Sequence, residues 1–172
     1  MTTEKDTKTT NQTSRDDPKD ERIFLVVVDD SAEMKVALRF AAKRAKKTNG
    51  RVALLYVVEP ADFQHWLSVG NLMQEEAREE AEALLQKFGA LAHDLSGIMP
   101  VLFLREGDRR DELLSLLDEE PKISVLVLGT NTEGKGPGPL VTALSSKFVD
   151  RLHIPLTLVP GNLSDEDVDA IT

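Results

Sequence analysis

Two stretches of the chain combine residue types that could do chemistry. Asp29 and Asp30 stand in tandem directly after an apolar run, and a glycine-rich segment, GTNTEGKGPGPL, begins at Gly129. Gly129, Gly134 and Lys135 approach the spacing of the phosphate-binding P-loop, in which backbone amides and a lysine hold phosphate. That motif needs a Ser or Thr next, and this chain has Gly136 there; Pro137 and Pro139 then delay the following helix. Two other readings of the segment stay open. A glycine loop entering a helix N-terminus can hold phosphate through N–H groups alone, or the glycines can simply serve turns on the surface. Asp29 and Asp30 also admit several roles. Either carboxylate can accept hydrogen bonds from a nucleotide's base or ribose, or cap a helix; capping suits Asp30 better than Asp29, and Ser31 is the other cap candidate. Paired carboxylates also do acid–base work or hold magnesium, but no histidine and no second acidic cluster accompany this pair in sequence.

Other candidates carry less. Ser145-Ser146 lacks the Gly-x-Ser-x-Gly frame of a hydrolase nucleophile. His93-Asp94 ends a helical pattern, where a cation suits the helix dipole, and His153 reads as a surface residue. Phe63 and Trp66 suit a pocket, a partner surface or the core.

Composition narrows the classes further. The 172 residues carry a net charge of −9, so a polyanion is repelled by the average surface and nucleic-acid binding is not expected. There is no cysteine, which removes disulfides, thiol nucleophiles and thiolate metal sites. The three histidines, His65, His93 and His153, are far apart in sequence. No apolar run reaches the ~18 residues of a membrane span. Residues 1–20 are polar after Met1, without a signal-peptide core, so a disordered tail and a cytoplasmic location are expected.

The candidates need elements to position them. Apolar, β-branched runs at 22–28, 52–58, 99–105, 123–128 and 156–159 read as buried strands. Between them, helical periodicity predicts helices from about 31 to 48, 71–93, 111–117 and 140–152. Asn49-Gly50 stops the first helix, and Gly107-Asp108 makes a turn. Residues 161–172 read as an acidic tail. The alternation predicts one α/β domain over 21–160, a doubly wound parallel sheet with helices on both faces. Ligands in such sheets sit beyond the carboxyl ends of the strands, which singles out Asp29-Asp30, Glu59, Glu106-Gly107-Asp108 and the segment from Gly129.

In order and spacing, the chain resembles the universal stress protein family, of UspA type, over about 22–160. The resemblance is carried by IFLVVVDDSAEMKVALRFAAKRAKKTNGRVALLYVVEP, LREGDRRDELLSLLDEE, ISVLVLGT and FVDRLHIPLTLVP. It implies five parallel strands in the order 3-2-1-4-5, which brings Asp29 beside Gly129. It also implies an adenine-nucleotide site, for ATP or AMP with magnesium, using Asp29, Val57, Gly107, Gly129, Thr130, Gly134, Thr142 and Ala143. The family motif has a glycine after strand four, another three residues on, and a Gly-Ser or Gly-Thr pair after nine more. Gly129 matches the first, but Thr132 and Thr142-Ala143 stand at the others. A side chain there hinders the approach of backbone to phosphate, and the lost hydroxyl removes a hydrogen bond. The expectation is therefore a stress-response binding module, not an enzyme, with a degenerate nucleotide site. The alternatives are an ATP or AMP sensor with slow or no hydrolysis, and a transfer enzyme on a related fold. The resemblance further implies a homodimer through the edge strand at 156–159 (Leu156, Thr157, Leu158 and Val159), where pairing covers an exposed apolar edge.

Overall fold

The computed structural model describes residues 21–60 and 67–172. The stretches 1–20, with the expected tail, and 61–66, with Phe63, His65 and Trp66, lie outside them. Five parallel strands, β1 (Ile23–Val27), β2 (Arg51–Val58), β3 (Val101–Glu106), β4 (Ile123–Thr130) and β5 (Leu156–Pro160), form one sheet in the order β3-β2-β1-β4-β5. The fold is the doubly wound one that the alternation predicts.

The sheet explains why the first two strands are continuously apolar. Phe24, Val26, Val28, Val52 and Leu54 enter one core with α1 (Ala32–Thr48) and α2 (Leu67–Ser96). Ile23, Leu25, Val27, Ala53, Leu55 and Val57 enter a second core on the opposite face, with α3 (Arg109–Glu119) and α4 (Pro139–Ser145). Alternate residues of a strand point to opposite faces, so a strand covered on both must be apolar throughout. In α1, Met34, Ala37, Leu38, Ala41, Ala42 and Ala45 form the buried stripe. The helix ends on Asn49, which takes the left-handed conformation at φ 53°. A side chain at Gly50 would overlap the Arg22 carbonyl, so that glycine serves close packing.

Of the cap candidates, Ser31 caps α1 and neither aspartate does: the Ser31 hydroxyl accepts from the Met34 N–H at 3.2 Å. The structure differs from the sequence expectation in two places. The single helix expected over 140–152 is broken, with α4 ending at Ser145 and a short 3-10 turn at Val149–Arg151. The Ser145 and Ser146 hydroxyls donate back to the carbonyls of Val141 and Thr142 at 2.7 and 2.6 Å, the local bonding that weakens helices rich in Ser and Thr. Finally, the acidic segment after β5 contains a helix, α5 (Asp165–Ile171), with Val168 wholly buried. Among the described residues, no helix is long and apolar enough to cross a membrane.

Candidate functional site

The carboxyl ends of β1 and β4 meet at the switch point of the sheet. A cleft of about 110 Å³ lies there, and Asp29, Ser31, Glu33, Arg109, Gly129 and the Pro137-Gly138-Pro139 segment are among its walls. Ligand pockets are commonly ~300–1,000 Å³, so this cleft is a small one.

Asp29 is half-buried just beyond β1. Its carboxylate accepts from the Ser31 N–H at 2.9 Å, a local turn that aims the chain into α1. Gly129 occupies the end of β4, pressed against the first turn of α1. A Cβ there would overlap the Glu33 carbonyl and lie 2.9 Å from the Met34 nitrogen. Gly161, just past β5, touches the same turn from the other side, 2.7 Å from the Glu33 Cβ by the same construction. Two glycines thus let the α1 N-terminus settle between the ends of β4 and β5. At Gly129 the glycine is required by helix–strand packing, whatever else the site does.

Of the eight residues expected at the site, Asp29 and Gly129 line the cleft. The other six do not line it. Val57 is buried in the core between β2 and α3. Gly107 ends β3 with φ 147°, its N–H donating to the Val58 carbonyl at 3.0 Å. Thr130 closes β4, and its carbonyl accepts from the Gly161 N–H at 2.9 Å. Gly134 lies in the exposed loop at φ 82°, in the left-handed region also used by Gly136 and Gly138. Thr142 and Ala143 are on α4, and the Thr142 hydroxyl donates to the Gly138 carbonyl at 2.8 Å.

Three lining residues were not singled out from sequence as ligand contacts: Ser31, Glu33 and Arg109. Arg109 is the important one, because it brings a cation to the cleft. Its guanidinium pairs with Glu59 at 3.1 Å. The pairing follows from register: β2 and β3 run in parallel with Val58 opposite Glu106, so the residues that follow both strands converge. Acidic Glu59 just after β2 and basic Arg109 just after the turn that follows β3 was the available signal.

The groups lining the cleft offer hydrogen-bond acceptors more readily than they offer donors to an anion. Asp29 keeps acceptor capacity for ribose or base hydroxyl and amine groups. Against phosphate stand the Asp29 and Glu33 carboxylates, with Arg109 opposing them while already paired. Pro137 and Pro139 have no N–H to donate, and the Thr142 hydroxyl proton is committed to Gly138. Among the described residues, no group of three or more His, Cys, Asp or Glu is placed to hold a metal ion.

Fold and cleft define an α/β protein with its candidate site at the switch point of a parallel sheet. The family model described as the universal stress protein family matches residues 21–160, and the chain belongs to that family. Solved structures agree on the fold. UspA from Lactobacillus plantarum is 19% identical with a TM-score of 0.66, covering 80% of this chain and 97% of its own. An Arabidopsis thaliana family protein solved with AMP bound is 18% identical with a TM-score of 0.56, covering 84% and 94%. The Archaeoglobus fulgidus protein in complex with dAMP is 17% identical with a TM-score of 0.55, covering 80% and 96%. No curated protein sequence matches the chain.

Proposed function

We propose that this universal stress protein is a non-enzymatic stress-response module whose adenine-nucleotide site is degenerate at its phosphate end. One observation carries the reading: the cleft is lined by Pro137-Gly138-Pro139 together with two acidic residues, Asp29 and Glu33. In ordinary anion sites successive N–H groups point at the ligand; here two of three are missing. The family's glycine positions hold Thr132 and Thr142, and its hydroxyl position holds Ala143. On this reading Asp29 receives the ribose or base and, among the described residues lining the cleft, Arg109 is the single cation offered to phosphate. Among the described residues, magnesium has no dedicated ligand set. Turnover is not expected on this reading, because a phosphate opposed by two carboxylates and offered few N–H donors is not held in position for attack.

A second reading, a sensor of adenine mononucleotides, is favoured by Arg109 in the cleft. Neighbouring structures solved with AMP and dAMP bound support it. A thermal-shift series with adenosine, AMP and ATP, each with magnesium, separates the two. The degenerate site gives no gain in stabilisation from adenosine to AMP to ATP. A sensor gives a clear rise at AMP that is lost in Arg109→Ala.

We also infer a homodimer through β5. This strand pairs with β4 on one side only, and Leu158 is 42% exposed, an apolar edge that a second copy would cover.

A further inference from the structure

We infer that the outer face of α1 is a docking surface for an acidic amphipathic helix, and that α5 is its resident occupant. Charge carries the first half of the argument. In a chain of net charge −9, α1 bears Lys35, Arg39, Lys43, Arg44, Lys46 and Lys47 against one acid, Glu33. The segment that covers it is the reverse: α5 has Asp165, Glu166, Asp167 and Asp169 and no cation.

The contacts are paired by helical spacing. Arg39 and Lys43 lie four residues apart on one face, as do Asp165 and Asp169. The Arg39 guanidinium donates to both Asp169 oxygens, at 3.0 and 2.7 Å, and reaches Asp165 at 3.1 Å. Lys43 reaches Asp169 at 3.2 Å. Between the two aspartates Val168 is wholly buried. An apolar residue flanked by carboxylates in this arrangement is the recognition pattern that the face accepts.

The occupant is built to leave. A helix of seven residues is too short to persist on its own, and its ion pairs are at the surface, where salt screens them. It also lies beyond the matched family domain, which ends at residue 160. Losing α5 therefore leaves the sheet and its two cores in place and uncovers a basic face. The partner that fits is a protein segment that forms an acidic helix with carboxylates four apart around an apolar side chain.

The test uses the full chain and a labelled peptide of residues 162–172 as the probe. Asp169→Lys sets like charges against Arg39 and Lys43 and clears the face. Val168→Asp clears it by another route, putting a charge in the buried position. Both variants should bind the peptide about tenfold or more tightly than the unaltered chain, because a competing occupant lowers apparent affinity by its population. Binding should weaken with salt and vanish for a peptide carrying Asn at both Asp165 and Asp169. Unchanged affinity in both variants overturns the proposal. So does equal binding of a duplex DNA oligonucleotide, which would make the face a general polyanion patch.

Discussion

At the residue scale, Gly129 shows how a family glycine can be held by packing. Its missing Cβ makes room for the Glu33 carbonyl at the start of α1. Gly129→Ala should destabilise the fold by about 2 kcal/mol or more, since overlap with backbone has no rotamer to relieve it. Urea denaturation measures this as a fall in midpoint with unchanged slope. A substitution at Gly129 is therefore a poor probe of ligand binding. Asp29→Asn is the cleaner one: the amide oxygen still accepts from Ser31, so the turn survives while the charge goes. Asp29 and Gly129 were legible in the sequence because the switch-point rule needs only the strand order. Arg109 and Glu33 were not, because each reaches the cleft through tertiary placement. Arg109 depends on the β2–β3 register, and Glu33 on the close seat of α1 against β4.

At the element scale, α4 and α5 show the limits of periodicity. Val141, Leu144, Phe148 and Leu152 keep helical spacing in the sequence, yet hydroxyl back-bonding from Ser145 and Ser146 accompanies the end of α4. Residues 161–172 offer few apolar side chains, so periodicity finds no stripe. The capping pattern was nevertheless there, in Ser164 and Asp167. The Ser164 hydroxyl accepts from the Asp167 N–H at 3.1 Å, and the Asp167 carboxylate accepts from the Ser164 N–H at 3.1 Å. Ser164→Ala should cost α5 about 1 kcal/mol, read as lost hydrogen-exchange protection confined to 165–171. Acid should act on the same element. The Arg39 hydrogen bond holds the Asp169 carboxyl below its usual range, with help from Lys43, and Ser164 does the same for Asp167. A depressed folded-state value means the stabilisation is present above the ordinary value of 3.8 and is lost as pH falls through the depressed one. Protection of α5 should therefore hold at neutral pH and drop on acidification below about 4, and Asp169→Asn should remove the Asp169 share of that pH dependence.

At the scale of the whole molecule, one parallel sheet does two jobs. Its switch point makes the cleft, and its β5 edge is where we propose that a second copy pairs. Leu158→Lys should convert the dimer to monomer, because an edge charge opposes strand pairing; sedimentation at several concentrations reports it. The overall architecture was legible because strand runs, helix stripes and strand order all obey short-range rules. Whether the loop from Gly129 cradles phosphate depends on Pro137 and Pro139 and on the three positions where Thr132, Thr142 and Ala143 stand. Calorimetric titration with ATP and magnesium decides that, comparing the natural chain with a Thr132→Gly, Pro137→Gly, Pro139→Gly, Thr142→Gly, Ala143→Ser variant. The account predicts no binding in the micromolar range, about −8 kcal/mol, for the natural chain, and its appearance in the variant. Micromolar binding of ATP by the natural chain would contradict it.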